Sequence, residues 1–186
     1  MTSSYQPLKG RMLVSEPFMT DKNFQRTVVL LVEHEDSGSV GFVMNRQLVL
    51  KIHEVVEEMP TLDAPVFMGG PVEQTTLHYI HQLGDKLVGA RQIFDGVYWG
   101  GSFSQLIELV QRGEVKSDEI LFFVGYSGWG EGQLAAEIKQ KSWIVAPRNK
   151  DLLFQPDYHD LWRQVLKGMG MKYRIIANYP IDPSLN

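Results

Sequence analysis

The spacing of hydrophobic and polar residues predicts strands and helices in roughly equal measure. The segment 24–33 contains the continuous, β-branched-rich aliphatic run Val28 to Val32, which predicts a strand buried on both faces. A polar turn over residues 35–38 and a second apolar run over 39–44 complete a predicted β-hairpin. Shorter apolar runs predict further strands over residues 12–14, 65–68, 77–81, 96–99, 119–124, 143–146 and 173–177.

Helical periodicity appears in four other segments. Apolar residues recur at i, i+3, i+4 and i+7 over residues 51–59, which predicts an amphipathic helix that ends at Pro60. Ser102 and Gln105 have the spacing of a capping box, and the helix they open ends at Gly113. Two more helices are predicted over residues 133–139 and 161–169. Hairpins early in the chain and helices later favour an α+β fold with a mixed, largely antiparallel sheet flanked by helices.

Composition narrows the class of protein. The chain of 186 residues contains no cysteine, which excludes disulfides, thiolate metal sites, iron–sulfur clusters and a catalytic thiol. No linker, repeat or low-complexity tract interrupts it, so residues 1–186 are predicted to form a single domain. The N-terminus lacks a signal-peptide pattern, and the longest aliphatic run, Val28 to Val32, is too short to span a membrane. We therefore expect a cytoplasmic protein with no membrane partner.

Charge is distributed unevenly along the chain. Residues 1–138 carry 18 acidic and 10 basic side chains, whereas residues 139–174 carry 3 acidic and 8 basic ones. The basic segment is interpreted either as a solvated face or as a patch for an acidic partner. Because the net charge is −4 and no nucleic-acid reading module is present, we do not expect direct nucleic-acid binding.

The densest motif is the glycine-rich segment 125–133, which we predict to be a loop between a buried strand and a helix. Such a position can bind an anion, but the segment lacks a P-loop lysine and the GxGxxG spacing, and Glu131 adds a negative charge. A tight turn that packs Trp129 onto the sheet is the competing interpretation. Ser127 resembles a nucleophile elbow, except that Trp129 replaces its last glycine.

Histidines and carboxylates do not form a set of three metal ligands. His53 and Glu57 are four residues apart on a predicted helix, which supplies only two ligands. His78 and His81 are three apart on a predicted strand, so they are expected on opposite faces. His34 lies in an acidic turn and is interpreted either as solvated or as a titrating group. We expect no metal and no cofactor.

Polar residues near the glycine-rich segment suggest a ligand cleft. Gln133 and Glu137 share a helix face at i, i+4, and Trp129 precedes them, while Asn45 and the Gly69-Gly70 pair lie at strand ends. The competing interpretation is that Asn45 and the two glycines only shape turns. The predicted ligand-binding residues are His34, Asn45, Gly69, Gly70, Gly128, Trp129, Gln133 and Glu137.

Several motifs, in this order, resemble the YqgE/AlgH family of bacterial proteins over nearly the whole chain. They are DKNF at 21–24 with RTVV at 26–29, His34, GFVMN at 41–45, GGPV at 69–72, GYSGW at 125–129 with GQL at 132–134 and Glu137, and the tail 179–186. The resemblance implies an α+β domain with a partly barrel-like sheet and no established enzymatic activity. One branch of the family is described as a transcriptional regulator. The chain departs from the family's pattern at Ser127, often alanine, and at Ala135, often acidic.

Two classes of function follow. The favoured hypothesis is a non-catalytic binding or regulatory protein, with transcription-linked regulation exerted through a partner, and a cleft around the Gly-Tyr-Ser-Gly-Trp segment for an unknown small molecule or protein. The alternative is a hydrolase that uses His34 or Glu137 as general base. No residue is predicted to be catalytic under the first hypothesis.

Overall fold

A computed structural model describes residues 5–154 and 157–181, and within these ranges nine strands join into one sheet. The strands are β1 (Met12–Ser15), β2 (Val28–Glu35), β3 (Gly38–Val43), β4 (Val66–Met68), β5 (Val72–His81), β6 (Arg91–Phe94), β7 (Val97–Trp99), β8 (Ile120–Gly130) and β9 (Trp143–Ala146). Their order across the sheet is β6-β7-β5-β8-β3-β2-β1-β9, and β4 pairs with β8 beside this path. The β4–β8 pair is parallel and the other strand pairs are antiparallel.

Six α-helices accompany the sheet in the described part of the chain. They are α1 (Ile52–Val55), α2 (Phe103–Gln111), α3 (Gln133–Lys139), α4 (Lys150–Leu153), α5 (Leu161–Gly168) and α6 (Met171–Ala177). The predicted α+β fold with a mixed, largely antiparallel sheet is confirmed, and the sheet is not closed into a barrel.

Strand β2 is buried on both faces, as its continuous apolar run predicts. Val28, Leu30 and Val32 pack in the core beneath α5, whereas Val29 and Leu31 pack on the opposite face near α3. Successive side chains of a strand point to opposite faces, so helices on both sides are needed to cover this run. A third cluster of buried residues lies between α1, α2 and the other end of the sheet.

The prediction of a glycine-rich loop at residues 125–133 is wrong for most of its length, because β8 continues to Gly130. The first half of β8 pairs with β4 and β5, and its second half pairs with β3. Gly125 has a φ of +70° at the irregularity between the two halves, and a Cβ there would meet the carbonyl oxygens of Val72 and Gly70 at 2.8 and 2.9 Å. The glycines therefore allow one long strand to bend and join two parts of the sheet.

Two other predictions of secondary structure are wrong, one in the extent of a helix and one in the type of element. The helix predicted over residues 51–59 ends at Val55. A longer helix would place the acidic pair Glu57 and Glu58 at its C-terminus, where the helix dipole disfavours negative charge. The strand predicted over 173–177 is helix α6, whose Tyr173, Ile176 and Ala177 pack on the core at helical spacing. The sequence did not predict strand β6 or helix α4. Residues 182–186 of the C-terminal motif that resembles the family lie outside the described residues.

Candidate functional site

A cleft of about 300 Å³ lies between the turn at residues 21–24, the end of β8 and helix α3. Four of the predicted ligand-binding residues line it: Gly128, Trp129, Gln133 and Glu137. Local sequence brings these four together, because β8 leads through a short turn directly into α3. The opposite wall is built by residues distant in sequence, among them Asp21, Phe24 and Trp143.

Glu137 is the central polar residue of the cleft. Its Oε2 accepts the indole N–H of Trp129 at 2.9 Å and that of Trp143 at 2.8 Å. Its Oε1 accepts the side-chain amide of Gln133 at 2.9 Å. The two indoles are 5% and 3% exposed, so a single carboxylate satisfies two buried donors that would otherwise lack a partner.

Helix α3 holds this carboxylate in place. It begins after Gly132, which adopts a left-handed φ of +69°, and it packs Leu134 into the core beneath the sheet. The Gln133 side chain accepts the backbone N–H of Gly130 at 3.0 Å and donates to Glu137 one helical turn later. The predicted i, i+4 pairing of Gln133 and Glu137 is therefore present, and it connects the end of β8 to the helix.

Three aromatic rings form the wall of the cleft. Phe24 stacks on Trp129 with ring centroids 6.3 Å apart and meets the edge of Trp143 at 5.3 Å. The two indoles meet each other edge to face at 5.8 Å. Such offset and edge-on geometries are the favourable ones for aromatic pairs, and they fix the indole N–H groups toward Glu137.

The electrostatic character of the cleft is negative. Asp21 lies exposed at its rim and accepts the backbone N–H of Asn23 at 2.9 Å. Of the lining residues that the structure describes, Asp21 and Glu137 carry charge and none is a lysine, arginine or histidine. Lys22, the next residue along the chain, lines a neighbouring groove of about 350 Å³ instead.

Gly69 and Gly70 lie outside this cleft and are required by the packing of the backbone. The Gly69 carbonyl accepts the N–H of Val43 at 2.8 Å and the buried hydroxyl of Ser127 at 3.1 Å. A Cβ on Gly69 or Gly70 would collide with the carbonyl oxygens of the adjacent β8 strand. Gly70 also borders the groove that contains Lys22.

Asn45 and His34 lie elsewhere in the fold. The Asn45 side chain accepts the backbone N–H of Val28 at 3.0 Å and donates to the Arg26 carbonyl at 2.8 Å, so it bridges two segments of backbone. His34 lines a separate cleft of about 340 Å³, where its Nδ1 lies 2.7 Å from the Ser39 hydroxyl. The eight predicted residues therefore do not all converge on one surface.

The two histidines of strand β5, His78 and His81, are explained by local structure. His81 is buried: its Nδ1 accepts the N–H of Leu83 and its Nε2 donates to the Gly100 carbonyl, an arrangement that requires the neutral ring. His78 lies on the opposite strand face, as expected, and contacts Phe42. Burial lowers the pKa of both His78 and His81.

Ser127 and the His53–Glu57 pair, which the sequence does not favour as a nucleophile or as metal ligands, are also placed unfavourably for these roles. Ser127 is fully buried, and its hydroxyl donates a hydrogen bond to the Gly69 carbonyl. Glu57 lies beyond the end of α1, so it does not share a helix face with His53. In residues 5–154 and 157–181, no three His, Asp or Glu side chains are arranged to hold a metal ion. No helix in the same ranges is long and apolar enough to cross a membrane.

Asp21, Phe24 and Trp143 are cleft residues that the sequence did not reveal as such. Asp21 and Phe24 belong to the DKNF motif, so a family motif beside the predicted strand was the available signal. Trp143 was interpreted only as the start of a strand. Its position opposite Trp129 depends on the pairing of β9 with the far edge of β1, which local sequence does not specify.

Comparison with known proteins agrees with the fold and with the motifs. A family model described as AlgH-like (DUF179) matches residues 12–174. A UPF0301 protein of Cytophaga hutchinsonii is 45% identical over 179 residues, 96% of this chain and 98% of its own length. A UPF0301 protein of Chlorobium limicola is 41% identical over 187 residues and the full length of both chains.

Two solved structures resemble the chain. The solution structure of the AlgH protein from Pseudomonas aeruginosa superposes with a TM-score of 0.73 at 26% identity, covering 95% of this chain and 98% of that one. The crystal structure of protein DIP2367 from Corynebacterium diphtheriae has a TM-score of 0.77 at 21% identity, covers 94% of each chain and shows the same fold. The chain belongs to the AlgH-like, or YqgE/AlgH, family.

Proposed function

We propose that this chain is a non-catalytic binding protein whose cleft holds a small positively charged group, either a free amine-type molecule or the cationic side chain of a protein partner. The observation that carries the proposal is the composition of the cleft: two carboxylates and three aromatic rings, with no cationic side chain among the described lining residues. Regulation by this protein would then act through the partner that the cleft engages.

The chemistry of the cleft suits a cation better than an anion. A cation is attracted to the negative face of an aromatic ring by about 0.5–2 kcal/mol, and Phe24 is the partly exposed ring of the three, since the two indoles are buried. The Asp21 carboxylate at the rim adds direct electrostatic attraction. Asp21 is the exposed carboxylate available for such contact, whereas Glu137 already accepts three hydrogen bonds. A volume of about 300 Å³ is at the lower limit for ligand sites, which fits a single small group.

The arrangement of Glu137 argues against its use as a general base. Both carboxylate oxygens are occupied by the amide and indole donors, so the lone pairs that they use point into the protein. A base must instead reach a proton on the substrate. Glu137 is thus better suited to fix the shape of the cleft than to take part in a reaction.

A hydrolase that uses His34 is the second candidate, and the contact between His34 and Ser39 favours it. A distance of 2.7 Å between Nδ1 and Oγ matches a nucleophile beside its base. Ser39 is only 5% exposed, however, so a substrate carbonyl has little access to its oxygen. Ester hydrolysis that disappears in both His34→Ala and Ser39→Ala, with folding intact, would favour this candidate over binding.

Calorimetric titration tests the proposed binding function. The probes are tetramethylammonium, an alkylamine and a neutral isostere of the same shape. We expect the two cations to bind and the neutral isostere to bind at least about fivefold more weakly, in line with the loss of about 1 kcal/mol. Asp21→Asn should weaken the binding of both cations by a similar factor.

The matched control for this titration is Asp36→Asn, the same chemical change on an exposed hairpin turn. It removes one negative charge from the protein without touching the cleft. Equal weakening by Asp21→Asn and Asp36→Asn would mean that only net charge attracts the probe. That result, or equal affinity for the neutral isostere, would reject the proposed site.

A further inference from the structure

Helix α6 exposes apolar side chains on the face that points away from the core. Met171 and Ile175, one helical turn apart, are 72% and 57% exposed, and Ile181 just beyond the helix is 78% exposed. The opposite face of the same helix already packs Ile176 and Ala177 against the core. The outer apolar stripe is therefore additional to the packing that the fold requires.

Positive charge surrounds this stripe. Residues 161–181 contain four basic side chains and no acidic one, although the chain as a whole has a net charge of −4. Lys172 and Arg174 flank the stripe on its two sides, since each residue of an α-helix is rotated by about 100° from the last. Arg174 Nε donates to the Lys167 carbonyl at 3.2 Å, which places the end of α5 beside α6.

We propose that this basic–apolar face, formed by Lys167, Met171, Lys172, Arg174 and Ile175, docks an acidic amphipathic helix of a protein partner. The ridge that Met171 and Ile175 form at i, i+4 fits the groove between side-chain rows of a second helix. Acidic residues on both sides of the partner's apolar stripe would then lie against Lys172 and Arg174. Complementary charge speeds such an encounter and fixes its orientation.

Two other anionic partners fit this face less well. Helices that bind at a membrane surface bury a large apolar face in the boundary between headgroups and acyl chains, and their affinity grows with the apolar area buried. Helix α6 has seven residues and two outward apolar side chains. Nucleic-acid phosphates would be attracted by the cations, but they would meet the apolar ridge between them. A protein helix uses both the charge and the ridge.

Fluorescence anisotropy tests the proposed face with the full-length protein. The probe is a labelled synthetic helical peptide with leucines at i, i+4 and glutamates on both flanks, and its counterpart carries glutamines in place of the glutamates. We expect the glutamate peptide to bind at least tenfold more tightly at low salt than the glutamine peptide. Vesicles containing phosphatidylserine and a DNA duplex are measured alongside.

Three double variants, each checked for folding by circular dichroism, locate the binding. Lys172→Glu/Arg174→Glu removes the flanking charge and Met171→Gln/Ile175→Gln removes the ridge, so each should weaken the glutamate peptide at least tenfold. Lys86→Glu/Lys116→Glu makes the same charge change at exposed lysines elsewhere and should leave affinity within about twofold. Equal loss in the control, no preference for glutamate, or tighter binding of vesicles or DNA would overturn the proposal.

Discussion

Trp129 and Trp143 donate their indole N–H groups to the same carboxylate oxygen, although the two residues lie on different strands. The acceptor is Glu137 on helix α3. One residue thus joins the end of β8, the edge strand β9 and a helix. Because the two indoles and the carboxylate form one network, the shape of the cleft and the stability of this part of the fold depend on the same contacts.

Glu137→Ala should lower the free energy of unfolding by about 2–4 kcal/mol, because it leaves two buried indole donors without an acceptor. Glu137→Gln keeps one oxygen acceptor and should cost less. The measurement is urea denaturation followed by tryptophan fluorescence. Glu131→Ala, at an exposed turn before the same helix, serves as the control and should change stability by less than about 0.5 kcal/mol. Equal effects of the two alanine variants would contradict the network.

Gly70→Ala should destabilise the protein by about 3 kcal/mol or more, or prevent folding. A Cβ at this position collides with the Tyr126 backbone, and the φ of +156° is one that alanine rarely adopts. The comparison is Gly168→Ala in helix α5, where a Cβ meets no described atom within 4 Å. That variant should gain about 0.5–1 kcal/mol from helix propensity. Thermal unfolding distinguishes the two, and a tolerated Gly70→Ala would refute the close backbone packing.

Acidification should destabilise the fold through His78 and His81. Burial lowers the folded-state pKa of each below its ordinary value of 6.5. The unfolded chain therefore binds more protons as the pH falls through 6.5, so stability present above that pH is lost below it, by up to about 1.4 kcal/mol per pH unit for each histidine. Urea midpoints between pH 7.5 and 5 measure this slope. The slope should decrease in His81→Gln, and an unchanged slope in both His78→Gln and His81→Gln would contradict the assignment.

Arg26 should hold the segment at Tyr179 and Pro180 against the core. Its Nη2 donates to the carbonyls of Tyr179 and Pro180, each at 2.6 Å, and its guanidinium lies 4.6 Å from the centre of the Trp162 ring. Arg26→Ala should therefore speed hydrogen exchange of the backbone amides over residues 176–179 without a similar effect on β2. Arg112→Ala, at an exposed position at the end of α2, is the control. Equal protection in wild type and Arg26→Ala would show that residues 176–179 are held by other contacts.

Local sequence predicted the strands and helices whose hydrophobic periodicity matches the faces that are buried in the fold. The hairpin of β2 and β3, helix α3 and helix α5 follow from apolar spacing, because their buried faces match the pattern. The end of β8 was predicted as a loop because glycine usually marks turns. Here Gly125 and Gly128 instead permit neighbouring strands and the Tyr126 ring to approach closely, a requirement that only long-range pairing creates.

The candidate site was predictable only where it is local. Trp129, Gln133 and Glu137 are close in sequence, and helical periodicity already places two of them on one face. Asn45 is polar and the Gly69-Gly70 pair lacks side chains, as is common at ligand sites. In the fold, however, the Asn45 amide hydrogen-bonds to backbone groups, and the two glycines pack against the backbone of β8. Asp21 and Trp143 join the cleft through tertiary packing, which a single sequence does not specify.

Fluorine NMR of the protein labelled with 5-fluorotryptophan tests the proposed cation site in the acidic cleft most directly. The chain has four tryptophans, of which Trp129 and Trp143 line the cleft, whereas Trp99 and Trp162 lie elsewhere and act as internal controls. Titration with tetramethylammonium should move the Trp129 and Trp143 resonances along a saturable curve and leave the other two in place. Movement of Trp99 or Trp162 alone, or no saturable change in any of the four, would contradict a cation site in this cleft.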